Sequence, residues 1–163
     1  VTKPIVAAIN GYCTAGGLEF VLGTDIRVAA EHATFGLGEV RWGLVPSGGG
    51  QVRLPRQIPW AVAMEILITG KRISAQRAYE VGLINEVVPA DQVQAAARTW
   101  AERICENGPL AVRTVKEVAV QSSNLAPGFH LEYVMSERAT KSEDVQEGIR
   151  AFAEKRKPVY RGR

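Results

Sequence analysis

Residues that bind metals or form disulfides are scarce in this chain. Its 163 residues include two cysteines, Cys13 and Cys105, and two histidines, His32 and His130. The cysteines are far apart and lack the paired spacing of a zinc site, so neither a metal site nor a disulfide framework is expected. We interpret them as reduced thiols of an intracellular protein, cytoplasmic or, in a eukaryote, in the mitochondrial matrix. The histidines show no acid–histidine–nucleophile pattern, which favours surface or packing roles.

Long hydrophobic runs are also absent. The run 5–9 ends at Asn10, and no window approaches the roughly 18 apolar residues of a membrane-spanning helix. Hydrophobic residues make up 46% of the chain, charged residues 23%, and the mean hydropathy is -0.05. These values are typical of a soluble globular chain and exclude a disordered or collagen-like protein. No membrane association is expected.

Acidic residues are missing from the C-terminal tail. Residues 155–163 hold five cations and no acid, although the net charge of the whole chain is only +3. The other 15 basic residues are outnumbered by 17 acids, so residues 1–154 carry a net charge of −2. A five-charge tail can bind phosphates of any kind, but an acidic body argues against a nucleic-acid partner. A solvated C-terminal end explains the composition equally well.

Glycine, by contrast, is concentrated in one part of the chain. Ten of the 16 glycines lie between Gly11 and Gly50, as expected where the backbone takes unusual dihedral angles or a ligand approaches it closely. Short runs rich in valine or isoleucine predict strands at 5–10, 26–30 and 84–88. The order of strand, glycine turn, helix and strand indicates an α/β protein with a buried sheet.

Helical periodicity prevails after Pro59. One predicted helix has its buried face formed by Val93, Ala97, Trp100 and Ile104. A second begins at Pro109, with Ala111, Val115 and Val118 directed inward. Further helices are expected near 60–69, 74–81, 128–141 and 143–155. Ser142 is the predicted N-cap of the last one, and the acids that follow it favour the helix dipole.

The first candidate site follows the predicted strand at 5–10. Gly16 and Gly17 open an apolar helix, and free N–H groups at such a helix start can hold a phosphate or a developing oxyanion. Glu19 falls in the first turn, where the helix dipole favours a carboxylate whatever its function. The short pattern by itself is therefore weak evidence for a catalytic role.

The second candidate is Glu39, which lies between glycines in a segment too irregular to be a helix face. Its apolar neighbours favour proton transfer, because an apolar setting raises the pKa of a carboxyl group. An ordinary surface glutamate is the alternative. Ser47 is followed by three glycines, but the sequence has neither a phosphate-loop motif nor the pattern of a hydrolase nucleophile at this point.

An ordered set of motifs runs through the chain. They are residues 3–12 (KPIVAAINGY), 15–19 (AGGLE), 25–27 (DIR), 35–36 (FG), Glu39, 43–46 (GLVP), 48–50 (GGG), 70–75 (GKRISA), 78–84 (AYEVGLI) and 152–158 (FAEKRKP). In this order they strongly resemble the enoyl-CoA hydratase/isomerase (crotonase) family. The match is to the C-terminal portion of the family's chain. It implies an α/β fold, with the C-terminal part of the crotonase (ClpP-like) β-β-α spiral core and active-site loops over residues 1–90. It implies a helical trimerisation region and a CoA-contacting tail over residues 91–163.

The same resemblance implies roles for five residues. Gly16 matches the residue whose main-chain N–H is one donor of the thioester oxyanion hole. Glu19 and Glu39, separated by 20 residues, match the two catalytic carboxylates of hydratases, with Glu19 assigned to water and Glu39 to the α proton. Phe152 and Lys155 match the C-terminal pair that contacts the CoA nucleotide.

The pair of carboxylates implies hydration rather than isomerisation, because isomerases of this family commonly keep the acid at the position of Glu39 and lack the one at Glu19. The implied reaction is the syn addition of water to a 2-trans-enoyl-CoA, giving a 3-hydroxyacyl-CoA. An acyl-CoA thioester is the implied partner, with CoA as part of the substrate, no metal or other cofactor, and a homotrimer or dimer of trimers. The alternatives are an isomerase or another acyl-CoA lyase of the same fold, a non-catalytic assembly subunit, or RNA binding through the basic tail.

Two features of the implied active site stay open in the sequence. Trp42 and Leu44 are candidates for the acyl pocket, although core packing explains both equally well. The family's second oxyanion donor belongs to a segment that precedes the first motif and is not in this sequence. The chain, which opens with Val1, resembles a piece of a longer polypeptide, and we expect these residues alone to be insufficient for efficient catalysis.

Overall fold

The structure, a computed structural model, describes residues 1–42, 44–122 and 141–163, with all of their side chains except those of Trp42 and Phe152. His130 and the helix expected near 128–141, apart from its last residue, lie outside these ranges. The chain divides into two compact units. The core unit is Ile5–Trp100, and the helical unit consists of Val1–Pro4 with Ala101–Arg163.

Short strands of the core unit form two small sheets. The first sheet contains β1 (Val6–Ile9), β3 (Ile26–Ala30) and β6 (Glu86–Val88), all parallel, with β3 in the middle. The second contains β2 (Tyr12–Thr14), β4 (Thr34–Gly36) and β5 (Ile73–Ser74), with β4 parallel to β2 and antiparallel to β5. All three predicted strands are present in the first sheet.

The helices of the core unit separate these strands along the chain. They are α1 (Gly16–Val21), α2 (Gly50–Gln57), α3 (Trp60–Thr69), α4 (Ala75–Glu80) and the greater part of α5 (Val93–Cys105), with 3-10 turns at Glu39–Trp42 and Ala90–Gln92. The succession β1, β2, α1 is followed by β3, β4, α2, so the chain passes between the two sheets and returns through a helix. This repetition is the predicted β-β-α spiral.

The core lies where α1, α2 and the second sheet supply large apolar side chains. The largest of those fully buried include Phe35, Leu18, Leu22, Leu37 and Leu54. Each buried leucine or phenylalanine contributes about 1.5–3 kcal/mol relative to an exposed one. The irregular glycine-rich part of the sequence is therefore tightly packed rather than loose.

Arg27 is a buried cation of β3, the central strand of the first sheet. Its guanidinium donates hydrogen bonds to the carbonyl oxygens of Leu22, Thr24 and Leu83 at 2.9–3.3 Å. Burial lowers the pKa of Arg27, and the nearby Asp25 partly offsets this effect. The motif 25–27 thus has a structural role, because the Arg27 side chain donates hydrogen bonds to three main-chain carbonyl groups near the ends of α1 and β3.

The helical unit contains α6 (Pro109–Gln121) and α7 (Glu143–Ala153). α7 begins as predicted, since Ser142 Oγ accepts a hydrogen bond from the Val145 N–H at 3.3 Å. It ends two residues earlier than expected. The carbonyl of Ala151 accepts a hydrogen bond from the Arg156 N–H at 3.1 Å, and Lys155 takes a left-handed conformation with φ 53°, the arrangement of a Schellman cap.

The predicted inward face of α6 is wrong at Ala111 and Val115, although Val118 is half-buried as expected. Val115 is 70% exposed and Ala111 is also exposed, whereas Thr114 is buried between half-buried Leu110 and half-buried Val118. Leu110 and Thr114 thus take the inward positions that were predicted for the residues directly after them. The prediction failed because it relied on the spacing of apolar residues. The buried position at the centre of the helix is a threonine, whereas exposed valines such as Val115 gave an apolar pattern on the solvent side.

None of the helices in the described ranges combines the length and the apolar composition that crossing a bilayer requires.

Candidate active site at two helix starts

Gly16 follows a sharp turn of the backbone between β2 and α1. Ala15 has φ 52° and ψ −130°, a conformation that strains any residue with a side chain. Its N–H donates to the carbonyl of Gly36 at 3.0 Å, which ties the turn to β4. The turn places the Gly16 N–H in the first turn of α1, where N–H groups have no partner within the helix. The predicted position of Gly16 at a helix start is correct.

Glu19 is buried, with 8% of its surface exposed. Its Oε1 atom accepts hydrogen bonds from the main-chain N–H groups of Gly48 at 2.6 Å and Gly50 at 2.9 Å. Gly50 is the first residue of α2, so the carboxylate of one helix is held by the start of another. The first-turn position in α1 is as predicted, but the helix dipole of α1 is not what orients this side chain.

The glycine triplet is shaped around this carboxylate. A Cβ atom on Gly48 would lie 2.7 Å from Glu19 Oε2, closer than any real contact of this kind. Gly49 has φ 106°, a backbone conformation that side chains disfavour. Glycine is therefore needed in this triplet because it lets the backbone come within hydrogen-bond distance of Glu19. The hydrogen bonds from Gly48 and Gly50 to Glu19 join residues about thirty positions apart in the sequence, and they were not predicted.

Glu19 and Gly16 line the same cleft. Its volume is about 410 Å³, and its other lining residues include Ile5, Phe20, Gly48 and Arg53. The wall of this cleft therefore includes a hydrogen-bonded carboxylate and a glycine whose N–H, at the start of α1, has no partner within the helix. Arg53 on this wall was not singled out from the sequence.

Glu39 begins the 3-10 turn that ends at Trp42, so the segment predicted to be irregular has one turn of helix. Its Oε2 atom is buried and has no hydrogen-bond partner among the described residues. Glu39 lines a second cleft of about 490 Å³ with Ala15, Arg41, Leu44 and Arg72. Leu44 thus lies at the same cleft as Glu39, 63% exposed.

Adjacent residues of the chain line the two clefts. Ala15 lines the cleft of Glu39, and Gly16 lines the cleft of Glu19. The two predicted carboxylates thus line separate clefts, which are linked in the chain through the adjacent residues Ala15 and Gly16.

The basic tail folds back on α7 and is less free than its composition predicts. Arg156 binds both carboxylate oxygens of Glu147, at 2.6 and 3.0 Å, and Arg163 lies 3.1 Å from Glu143. Hydrogen bonds from Arg156 and from the Val159 N–H lower the pKa of Glu147 to about 2. Asp144 accepts from the main-chain N–H groups of the tail at positions 161 and 162. The five cations counted in the tail are thus partly compensated, because α7 supplies acids that the tail itself lacks.

Of the two residues expected at the CoA nucleotide, Lys155 is exposed and Phe152 lies in the last turn of α7. Within the described ranges, the side chains of Lys155, Lys157 and Arg161 form no ion pair and remain available to an anion. The tail therefore keeps three free cations next to two that are neutralised.

The two thiols occupy different environments. Cys13 is buried in β2 and Cys105 is exposed, and both are free. Burial raises the pKa of the Cys13 thiol to about 11, an effect that Arg27 partly offsets. No group of three or more metal-binding side chains occurs in the part of the chain that the structure describes.

Comparison with known proteins assigns the class. The model of the enoyl-CoA hydratase/isomerase family matches residues 1–163. Enoyl-CoA hydratase EchA19 of Mycobacterium tuberculosis is 46% identical over 167 residues, which cover 100% of this chain and 62% of that protein. Carnitinyl-CoA dehydratase of Salmonella typhi is 40% identical, covering 99% of this chain and 64% of that protein. The chain thus spans less than two thirds of the length of these relatives.

Solved structures agree with this assignment. The crystal structure of an enoyl-CoA hydratase from Mycobacterium tuberculosis H37Rv superposes with a TM-score of 0.95 at 42% identity, covering 99% of this chain and 65% of that one. An enoyl-CoA hydratase from Bacillus anthracis gives the same TM-score at 43% identity, covering 99% of this chain and 64% of that one. The chain belongs to the enoyl-CoA hydratase/isomerase family and has the crotonase fold.

Proposed function

We propose that the protein is an enoyl-CoA hydratase, which adds water across the double bond of a 2-trans-enoyl-CoA to give a 3-hydroxyacyl-CoA. The observation that carries the proposal is the buried carboxylate of Glu19, held by two main-chain N–H groups in the same cleft as Gly16. A carboxylate fixed through one oxygen keeps its other oxygen for a water molecule. The helix-start N–H supplies the complementary requirement, a donor for the charge that develops on the thioester oxygen.

The reaction balances with these groups. Glu19 takes a proton from water as the water oxygen bonds to the β carbon, and the electrons of the double bond move toward the thioester oxygen. The Gly16 N–H stabilises the resulting enolate. The carboxyl group of Glu39 then delivers a proton to the α carbon, so that one water molecule has been added and the substrate loses no group. Glu39 suits this step because its Oε2 has no partner in the described ranges that would compete for the proton. The proton on Glu19 passes to Glu39 through solvent after the product leaves, which returns both side chains to their starting states.

The names of the relatives support hydration over the alternatives. One is called a hydratase and the other a dehydratase, and both names refer to water as the added or removed group. An isomerase needs no water activation and therefore gives no reason for the ordered carboxylate of Glu19. A non-catalytic assembly subunit gives no reason for either cleft.

The tail and the assembly extend the proposal. We propose that Lys155, together with Phe152, contacts the CoA nucleotide, because a free cation beside the end of α7 suits a phosphate group. We further propose a homotrimer or a dimer of trimers assembled through residues 91–163, and no cofactor besides the CoA carried by the substrate. Chain length and substituent of the acyl group are not specified by these residues.

The proposal is tested with crotonyl-CoA and three variants of the full-length enzyme. Glu19→Gln and Glu39→Gln should each lower kcat by about 10²–10⁴-fold with acyl-CoA binding nearly intact, the usual loss when a general acid or base is removed. Glu65→Gln is the matched control, since Glu65 is an exposed glutamate of α3. Decay of the enoyl thioester absorbance gives the rate. A parental rate in either of the first two variants would show that the residue in question is not catalytic.

A further inference from the structure

Arg53 is joined to the proposed catalytic carboxylate through one glycine. It lies in the first turns of α2, and its Nη1 atom donates to the carbonyl oxygen of Gly48 at 3.0 Å. The N–H of the same glycine donates to Glu19 Oε1 at 2.6 Å. Gly48 is thus held on both sides, by Arg53 through its carbonyl and by Glu19 through its amide.

The guanidinium also fits against the next glycine. A Cβ atom on Gly49 would lie 2.1 Å from Arg53 Nη1, so the side chain occupies the space that a larger residue at position 49 would need. The Arg53 N–H in turn donates to the carbonyl of Gly49 at 2.8 Å. Both the side chain and the backbone of Arg53 therefore fix the loop from which the donors to Glu19 come.

We propose that Arg53 is a positioning residue for Glu19, an inference that rests on the proposed hydratase function. Its hydrogen bond holds the peptide group between Gly48 and Gly49, which adjoins the peptide group whose N–H donates to Glu19. Arg53 thereby restrains the loop that sets which oxygen of Glu19 faces water. Glycine loops have little conformational preference of their own, so a triplet of glycines needs an outside group to select one geometry. Misplacement of a reacting group by about 1 Å can cost on the order of 10²-fold in rate.

Arg53 lines the cleft itself, so a direct contact with an anionic part of the substrate is the competing explanation. The two explanations differ in whether the effect of Arg53 on the rate depends on Glu19. A positioning residue acts only through Glu19, whereas a substrate contact acts on binding and does not depend on Glu19.

The test is a double-mutant cycle in the full-length enzyme with Arg53→Ala, Glu19→Gln and the double variant. Arg53→Ala should lower kcat by about 10–100-fold with KM changed less than twofold, and it should cost no further rate in the Glu19→Gln background. Arg56→Ala is the matched control. Arg56 is an exposed arginine of the same helix that donates to the carbonyl of Val52 at 2.6 Å, and its loss should leave kcat unchanged.

Several results would overturn the proposal. They are a parental kcat for Arg53→Ala, an equal loss in the parent and the Glu19→Gln background, a rise in KM that depends on salt, or a loss of kcat as large for Arg56→Ala. A melting temperature lowered enough to account for the lost activity would also reject it, because Arg53 would then support the fold rather than the carboxylate. Failure of the hydratase proposal is recognised separately, since Glu19→Gln alone would then retain the parental rate.

Discussion

At the scale of single residues, burial makes the two cysteines chemically unlike. Cys13 is 4% exposed in β2, and burial raises the pKa of its thiol to about 11. Since only the thiolate reacts, roughly one Cys13 in a thousand is reactive at pH 8 even before access is considered. Cys105 is exposed at the end of α5. The first thiol is therefore a packing residue and the second a reactive surface group.

This difference predicts the outcome of thiol titration. At pH 8 a disulfide reagent should modify one thiol per folded chain within seconds to minutes, and the second only after denaturant is added. Cys13→Ala should leave the fast reaction unchanged and remove the slow one. Equal rates for both thiols in the folded protein would contradict the buried position of Cys13.

The same thiol predicts a pH dependence of stability. Its folded pKa of about 11 lies above the value of about 8.5 for an unfolded chain, so the folded state keeps the proton to higher pH. This contribution is complete below about pH 8.5 and is lost as the pH rises toward 11. Urea midpoints measured across this range should fall less steeply for Cys13→Ala than for the parent.

At the scale of secondary structure, the end of α7 separates two roles of Lys155. Its φ of 53° makes it the left-handed residue of the helix cap, a position where glycine is favoured. Substitution by alanine removes the charge and keeps the strain, whereas glycine removes both. Comparing the two substitutions therefore distinguishes the cap from the proposed contact with CoA.

Lys155→Gly and Lys155→Ala should both raise KM for an acyl-CoA by about fivefold, the loss of one charge contact of about 1 kcal/mol. The effect should shrink as salt is added, and kcat on a short pantetheine thioester should not change. Lys155→Gly should melt higher than Lys155→Ala because glycine suits the cap. An unchanged KM in both variants, or equal losses on both substrates, would reject the contact with the nucleotide.

The elements that the sequence predicted correctly are those with a strong local pattern. β3 and α3 have the expected bounds because both segments are rich in apolar residues and α3 is bounded by a proline before it and a glycine after it. β2, β4 and β5 were missed because strands of two or three residues carry no alternation to detect. α2 was missed because it starts on glycines and contains Pro55, both of which argue against a helix.

In the candidate site, likewise, the sequence predicted the local motif but not the contacts between distant parts of the chain. Gly16 and Glu19 are three residues apart in one short motif, so the sequence predicted that both lie at the start of the same helix. The donors to Glu19 did not, because a main-chain N–H leaves no mark in the sequence and Gly48 is distant along the chain. The charge of the tail was misjudged for a related reason: composition counts cations but does not show that Glu147 lies opposite Arg156.

At the scale of the whole molecule, the prediction concerns how many oxyanion donors the chain supplies. The structure offers the Gly16 N–H, whereas hydration of a thioester in this family is expected to use a second donor from outside these residues. We therefore expect residues 1–163 expressed alone to hydrate crotonyl-CoA about 10²–10³-fold more slowly than the full-length enzyme, the usual loss for one such donor. The assignment of residues 91–163 to trimerisation stays a prediction as well.

The experiment compares the isolated chain with the longer polypeptide at matched concentration. Loss of the enoyl absorbance reports the rate, and size-exclusion chromatography shows whether the isolated chain is monodisperse. Adding the preceding segment as a separate polypeptide should restore part of the rate. Full activity of the isolated, monodisperse chain would mean that the second donor lies within these residues.

The parallel order of the first sheet also determines how this protein emerges from the ribosome. β3 pairs on one side with β1, which precedes it, but on the other side with β6, and the partners Val28 and Glu86 are 58 positions apart. At about 5–20 residues per second, one edge of β3 stays unpaired for roughly 3–12 s of synthesis. During that time α2, α3 and α4 are made, and helices form in about a microsecond. The nascent chain thus holds an open sheet edge after the residues of α2, α3 and α4 have been made, and closure of the first sheet waits for β6, its last strand.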